Sequence, residues 1–324
     1  AQRSLDQASP TVIVRVDNDV FGGSGQDQGY SNGVMLTIVS SNLVNFVDDP
    51  CLPRPARWLN QYLGWLYPSG FDQQNMVLGI GQALFTPHDK NRTDLILEDR
   101  PYAAALLVTL GYNARSGDQL RTSQLRIGLV GPSARGEQVQ SGWHRIIGVD
   151  RVEGWDNQLR DEPILQLVHE RMRRWPGTAR QGGWGWDAIG HWGAGLGNLS
   201  TYANTGAEWR FGFSVPEDFG SAPLRPAGEN TAPKRLRLGD EDWAGHGFVS
   251  VDARWVLHNI TLDGNSFKQS HSVDKRAFVA DIGYGLAVTR GAWKLAFARY
   301  HRTREFNGQQ ELPVFGSFTI SRKF

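Results

Sequence analysis

The stretch Gly247–Leu257, "GFVSVDARWVL", sets Val249, Val251, Ala253 and Trp255 against Ser250, Asp252 and Arg254 in alternation. Successive side chains of a β-strand point to opposite faces, so this segment has one greasy face and one polar face. Two architectures use that pattern. A soluble β-sandwich turns the apolar face inward, whereas an outer-membrane barrel turns it toward lipid and keeps a polar lumen.

Working outward, about twelve segments share strand length, period-two character and closure by Gly, Asp, Asn or Pro. They run from "TVIVRVDN" (11–18) to "VFGSFTISRKF" (314–324), and no amphipathic helices alternate with them, which disfavours a parallel α/β sheet. Three features favour the barrel over the sandwich. Aromatic residues gather near segment ends, the strand count is even, and the chain finishes with Phe318, Ile320 and Phe324 in one alternating register, interrupted by Arg322. The expected fold is therefore all-β: an antiparallel transmembrane β-barrel of about twelve strands, formed by residues 1–324 as a single domain, with a short helix in an outer loop.

Parity then places the connections. If the first strand rises from the periplasm, the connections after odd strands lie on the outer rim. The unusual polar stretches "DVFGGSGQDQGYSNG", "ALFTPHDKNRTDLILEDRP", "GPSARGEQVQSGWHRIIGVDRVEGWDNQLRDEP" and "HNITLDGNSFKQSHSVD" all follow odd strands. One rim thus collects them, as loops on a rigid scaffold do when they build a site. Two other connections, residues 40–74 and 214–246, are long for periplasmic turns. The first reads as an amphipathic helix at the inner interface, with Trp58, Leu59, Tyr62, Leu63 and Leu66 on a shared face.

Composition excludes several classes. Gly (38) and Trp (12) are abundant, hydrophobic residues make up 40%, and nothing resembles a disordered composition. No apolar run approaches a membrane-spanning helix of about 18 residues, and "AQRSLDQASP" lacks the features of an uncleaved signal peptide, so a removed signal is expected. A lone Cys51 offers neither a disulfide nor a thiolate metal cage. A net charge of +1 gives no global attraction to nucleic acid, although "HERMRRW" and "PKRLRLG" are locally basic.

Among chemistry-bearing residues, Asn18 and Asp19 in "VRVDNDVF" offer oxygen ligands for a hard cation such as calcium, or alternatively a turn whose side chains bond the local backbone. Ser31 in "GYSNG" would pair near Asn18 in a hairpin; it lacks a G-x-S-x-G setting. Gln140 and His144 stand four apart on one helix face, with Glu137 two turns back and Asp150 just beyond, where it could orient the imidazole. The competing reading of His144 is a packing or capping histidine. Lys90 and Arg92 are either phosphate contacts or solvated loop charges.

Together, "VDNDVF", "YSNG", "FTP…EDRPYA", "GPSARGEQVQSGWHRIIG…GWDNQL", "LDGNSF…SHSVDK" and "RTREF…FGSFTISRKF" resemble the lipid A 3′-O-deacylase family of Gram-negative outer membranes, over nearly the whole chain. The resemblance implies a calcium-dependent barrel esterase that removes the 3′-linked acyloxyacyl chain of lipid A. It carries site roles onto Asn18, Asp19, Ser31, Gln140, His144 and Asp150, with Asp19 as the metal ligand. Ser31 stands where some members have Thr, Asp150 where Glu also occurs, and "AALLV" follows "DRPYA" where many relatives have Trp. On this reading His144 activates water, the partners are lipopolysaccharide and outer-membrane lipids without nucleic acid, and the protein is a monomer. A phospholipase using Ser31 as nucleophile and a non-enzymatic porin are the alternatives.

Overall fold

The computed structural model describes residues 10–22, 29–43, 45–67, 73–148, 152–179, 182–220 and 243–324. Twelve strands form a closed barrel. They are β1 (Thr11–Asn18), β2 (Gly29–Val39), β3 (Gln73–Thr86), β4 (Ala103–Ser116), β5 (Gln119–Val130), β6 (Glu162–Trp175), β7 (Trp184–Gly197), β8 (Ser200–Phe213), β9 (Trp243–Asn259), β10 (Phe278–Arg290), β11 (Trp293–Arg302) and β12 (Val314–Lys323). Each pairs antiparallel with its sequence neighbours, and β12 closes on β1 in the register Thr11↔Lys323 to Asn18↔Gly316. Closure leaves no strand edge, the condition for placing a sheet in lipid.

The alternation in "GFVSVDARWVL" does what the membrane reading requires. Val249, Val251 and Trp255 are exposed, together with Ile282, Leu286, Leu295, Phe297 and Phe318 on neighbouring strands. Trp175, Trp184, Trp186, Trp243 and Trp293 ring the end of the barrel opposite the long loops, where amphipathic indoles suit a membrane interface.

The opposite faces fill the lumen with charge. Arg174 and Arg210 share Asp187 at 2.7 and 2.6 Å, and Lys294 reaches Asp218 at 2.9 Å. Nearer the outer end His191 meets Asp252 at 2.8 Å and Arg302 meets Asp281 at 2.7 Å. A water-filled channel would expose such inward groups, yet Glu170, Asp187, Glu208, Arg210 and Asp281 are buried. Twelve strands make a barrel narrow enough for side chains to plug it.

The expected segments all fall on strands. β2 begins at Gly29, ahead of the apolar run that starts at Gly33, because a bulge between Tyr30 and Asn32 lets the strand continue past Ser31. All four polar stretches connect odd strands to even ones and therefore share one end. The helix expected in the third of them is present as α2 (Gly136–Ile147), after α1 (Arg54–Asn60) in the long inner connection and before a single turn, α3 (Ile260–Asp263).

The inner connection departs from one continuous amphipathic helix. α1 stops at Asn60, whose side chain is buried: its amide donates to the Phe46 carbonyl at 2.5 Å and its oxygen accepts from the Tyr112 hydroxyl at 2.7 Å. The expected face is split as a result. Leu63 and Leu66 pack with Met76, Leu110 and Tyr112 on the outer wall, whereas Trp58, Leu59 and Tyr62 remain exposed. The other long connection, 214–246, is described to Gly220; residues 221–242, including "PKRLRLG", lie outside the described residues.

A closed, filled barrel should migrate differently on a denaturing gel before and after boiling, and should show no steady conductance in planar bilayers. A persistent ion current would contradict the plugged lumen.

Candidate active site on the outer wall

Hydrogen-bond register aligns Asn18, Asn32, Leu84 and Ala104 in one row across β1–β4. By alternation this row faces outward, on the same side as Val14, Leu36, Ile80 and Val108 two rows below. The lower row is 36–49% exposed, as a lipid-facing surface must be, but the upper row is only 0–5% exposed. Something covers the wall at the outer rim.

Over Leu84 and Ala104 the cover is the loop between β5 and β6. Leu84 and Ala104 form a buried cluster with Tyr102, Ala134, Val152 and Trp155. Gln82 donates to the Ala134 carbonyl at 2.5 Å, tying the loop to β3. α2 lies on this wall through Gly136, where an added Cβ would stand 2.5 Å from the Ala104 Cβ and 2.8 Å from the Trp155 ring. Gly136, Gln140 and His144, spaced four apart, are buried, whereas Glu137 and Val139 are exposed. The predicted face is therefore the face that meets the barrel, without Glu137. Trp155, which the sequence reading did not single out, donates its indole N–H to Gln140 Oε1 at 3.0 Å and so orients that amide. The Trp143 indole N–H, next to His144, is also buried and has no acceptor among the described residues.

The strand side of the site gathers Asn18, Asp19 and Ser31. "DND" divides its side chains. Asp17 points into the lumen, accepting from Tyr30 at 2.7 Å and pairing with Arg15 at 3.0 Å. Asn18 takes the turn role, its oxygen accepting from the Val20 N–H at 2.8 Å, while its amide donates to the Ser31 carbonyl at 3.2 Å. The Asp19 N–H donates to that same carbonyl at 3.3 Å, and the Asp19 side chain is buried at the rim. Ser31 occupies the bulge, and its hydroxyl donates to the Leu84 carbonyl at 3.3 Å. Leu84 thus joins the strand residues to the cluster beneath the helix. Asp150 lies outside the described residues.

No group of three or more His, Cys, Asp or Glu side chains among the described residues could hold a metal ion. A hard cation remains chemically compatible at Asp19, because the neighbouring donors are amide, hydroxyl and carbonyl oxygens, the kind calcium takes. The fit is in donor type, with one carboxylate and no thiolate or imidazole requirement.

Loops on the rim brace the cover. The Glu153 N–H donates to the Lys90 carbonyl at 2.8 Å, which brings Lys90 beside the third outer loop. Arg92, read as either a phosphate contact or a solvated loop charge, forms a two-point pair with the exposed Asp94. Arg100, fully buried, donates to Glu305 at 3.1 Å and to Thr261 at 3.2 Å, joining three loops. Burial opposes ionisation of Glu305, but the guanidiniums of Arg100, Arg302 and Arg254 outweigh it and hold the carboxyl below its ordinary range.

A closed antiparallel barrel with an apolar outer belt defines an outer-membrane protein. Residues 1–324 match the family described as Outer membrane protein LpxR, and the chain belongs to that family. Among solved structures it is similar to LpxR from Salmonella typhimurium, with 20% identity and a TM-score of 0.74 over 97% of this chain and 100% of that one. The β domain of the Bordetella autotransporter Brka follows with 9% identity and a TM-score of 0.44, over 98% and 100% of the two chains. No curated protein matches.

Two outcomes test this geometry. Gly136→Ala should overpack the helix against Ala104 at a cost of about 1–3 kcal/mol. Trypsin should then cut within residues 131–161 faster than in the native protein, while unboiled gel mobility is unchanged. For Glu305 the depressed carboxyl stabilises the rim above the ordinary glutamate range, and that stability is lost as pH falls through the lowered value. Glu305→Gln should lower thermal stability at neutral pH by about 3–5 kcal/mol, and should flatten the acid dependence of melting. Equal acid sensitivity of both proteins would refute the assignment.

Proposed function

We propose that the protein is an outer-membrane carboxylic ester hydrolase that removes the 3′-linked acyloxyacyl chain of lipid A. The observation that carries this reading is a buried row at the outer end of the lipid-facing wall, Asn18–Asn32–Leu84–Ala104, whose Leu84 and Ala104 end packs with Trp155, the partner of Gln140 on the helix that also carries the buried His144. Membership of the LpxR family supports it. An ester in the outer leaflet lies beside the barrel rather than inside it, so a base must be offered from the wall. A lumenal site behind the buried ion pairs would never meet that substrate.

In this reading His144 Nδ1 or Nε2 takes a proton from water, which attacks the ester carbonyl, and later returns that proton to the departing sugar oxygen. Asp150 orients the imidazole. Gln140, fixed by Trp155, and Asn18 offer amide N–H groups to the developing oxyanion, each donor contributing on the order of 3 kcal/mol, and Ser31 offers its hydroxyl oxygen as an acceptor to the water. Asp19 is the residue that would hold calcium, which when bound supplies Lewis-acid polarisation of the carbonyl. Ser31 is better suited to positioning than to nucleophilic attack, since its hydroxyl hydrogen is already directed to the Leu84 carbonyl.

Mass spectrometry of lipid A from cells with and without the protein should show loss of the 3′-linked chain only when it is present. His144→Ala should lower the rate by about 2 to 4 orders of magnitude, with Ser31→Ala less impaired and no acyl-enzyme accumulating. Asp19→Ala should be inactive yet keep its heat-modifiable barrel. An acyl group trapped on Ser31 would replace water attack by the phospholipase-type mechanism, and full activity in excess chelator would remove calcium from the scheme.

A further inference from the structure

On the far side of the barrel from α2, the outward faces of β8, β9 and β10 carry a groove of about 570 Å3. Register explains its shape. Thr205, Ala253 and Ala280 align in one row, small side chains on a surface where the neighbouring outward rows carry Val251 and Ile282 below and the stacked pair Trp255 and Phe278 above. The small row is a notch under an aromatic shelf, at the outer end of the strands.

Arg276 and Arg304 stand exposed at its mouth. Their hydrogen-bond partners are neutral: Arg276 donates to the Asn307 amide oxygen at 3.2 Å, and Arg304 to the carbonyls of Gln309 and Gln310 at 2.8 and 3.3 Å. The nearby Asp274 carboxylate is held by the Asn307 amide at 2.6 Å. The contrast with Arg92, closed on Asp94, is direct. Here two guanidiniums keep their charge facing the headgroup layer, directly above an apolar notch, and a guanidinium is suited to phosphate.

We propose that this groove binds a second, non-reacting molecule of phosphorylated outer-leaflet glycolipid, with an acyl chain in the Ala253–Ala280 notch and a sugar phosphate on Arg276 and Arg304. The outer leaflet is the source because notch and arginines both lie at the rim that carries the long loops. The site does not depend on ester hydrolysis, only on the barrel's place in the outer membrane.

Native mass spectrometry of the detergent-purified protein tests it, using bis-phosphorylated lipid A, the same lipid without phosphates, and phosphatidylglycerol as probes. A His144→Ala background prevents turnover of the probe. Arg276→Gln/Arg304→Gln should retain one fewer lipid A molecule than its reference, with affinity lowered roughly tenfold per arginine. Ala253→Trp, which fills the notch and keeps both arginines, should lose the same molecule, each variant first being checked for unchanged unboiled gel mobility. With His144 present, the arginine variant should turn over at the reference rate at saturating substrate. A difference of one bound molecule stands whether or not the protein proves to be a deacylase. Equal retention by reference and variants, or equal binding of phosphate-free lipid A or phosphatidylglycerol, would overturn the proposal. Loss of turnover in the arginine variant would overturn it as well, because the arginines would then serve the reacting molecule.

Discussion

A backbone N–H or C=O left unpaired in hydrocarbon costs several kcal/mol, and that constraint governs everything else in this molecule. It forces β12 back onto β1, so that all twelve strands are paired on both sides. It also fixes what each face of a strand can carry. Apolar side chains must point to lipid, and polar ones are confined to the lumen or to the rims. A polar group on the outward face is therefore an exception that must be buried, as Asn18 and Asn32 are, in a row whose Leu84 and Ala104 end lies under Trp155 and the start of α2.

The lumen performs a different task from the one its polarity suggests. Its carboxylates and guanidiniums are matched in small networks, and several stand directly opposite each other on adjacent strands, as Arg210 does with Asp187 and Arg302 with Asp281. Buried pairs of this kind add little net stability by themselves, but removal of one partner leaves an uncompensated charge. Arg100 extends the same logic into the loops by binding Glu305 and Thr261 from a position just before β4. The loops of the outer rim are thereby tied to one another and, through Glu305 and Arg302, to the lumenal network.

Period-two alternation made the strands readable, because lipid and lumen impose opposite demands at every second residue. The helical spacing of Gln140 and His144 was readable for the same kind of reason, a face defined by repeat. What alternation could not reveal is where it is suspended. The bulge at Ser31 adds a residue that no hydrophobic pattern marks, and it brings the Ser31 carbonyl to Asn18 and Asp19. Trp155 looked like one more aromatic in a loop; its role appears only when the Gln140 amide is in place beside it. The inner connection misled for a related reason. Asn60 is polar and yet buried, so a helix face drawn through Trp58, Tyr62, Leu63 and Leu66 crosses the point where the helix stops.

The two covers on β3 and β4 show how far one strand face can change along its length. Toward the inner end, Met76, Leu110 and Tyr112 lie under the segment that contains Leu63 and Leu66; toward the outer rim, Leu84 and Ala104 lie under the third loop. Between them Leu78, Ile80 and Val108 are bare. The bare band is where acyl chains can lie against the wall, and its upper border is the proposed site. A lipid whose chains rest on Ile80 and Val108 has its ester region one or two rows higher, at the level of Asn18 and Leu84, since rows on one face of a strand are two residues apart and each residue rises about 3.3 Å. On the proposed function, burial at the top of the wall and exposure in its middle thus set the depth of the reaction, without any contact to the sugar.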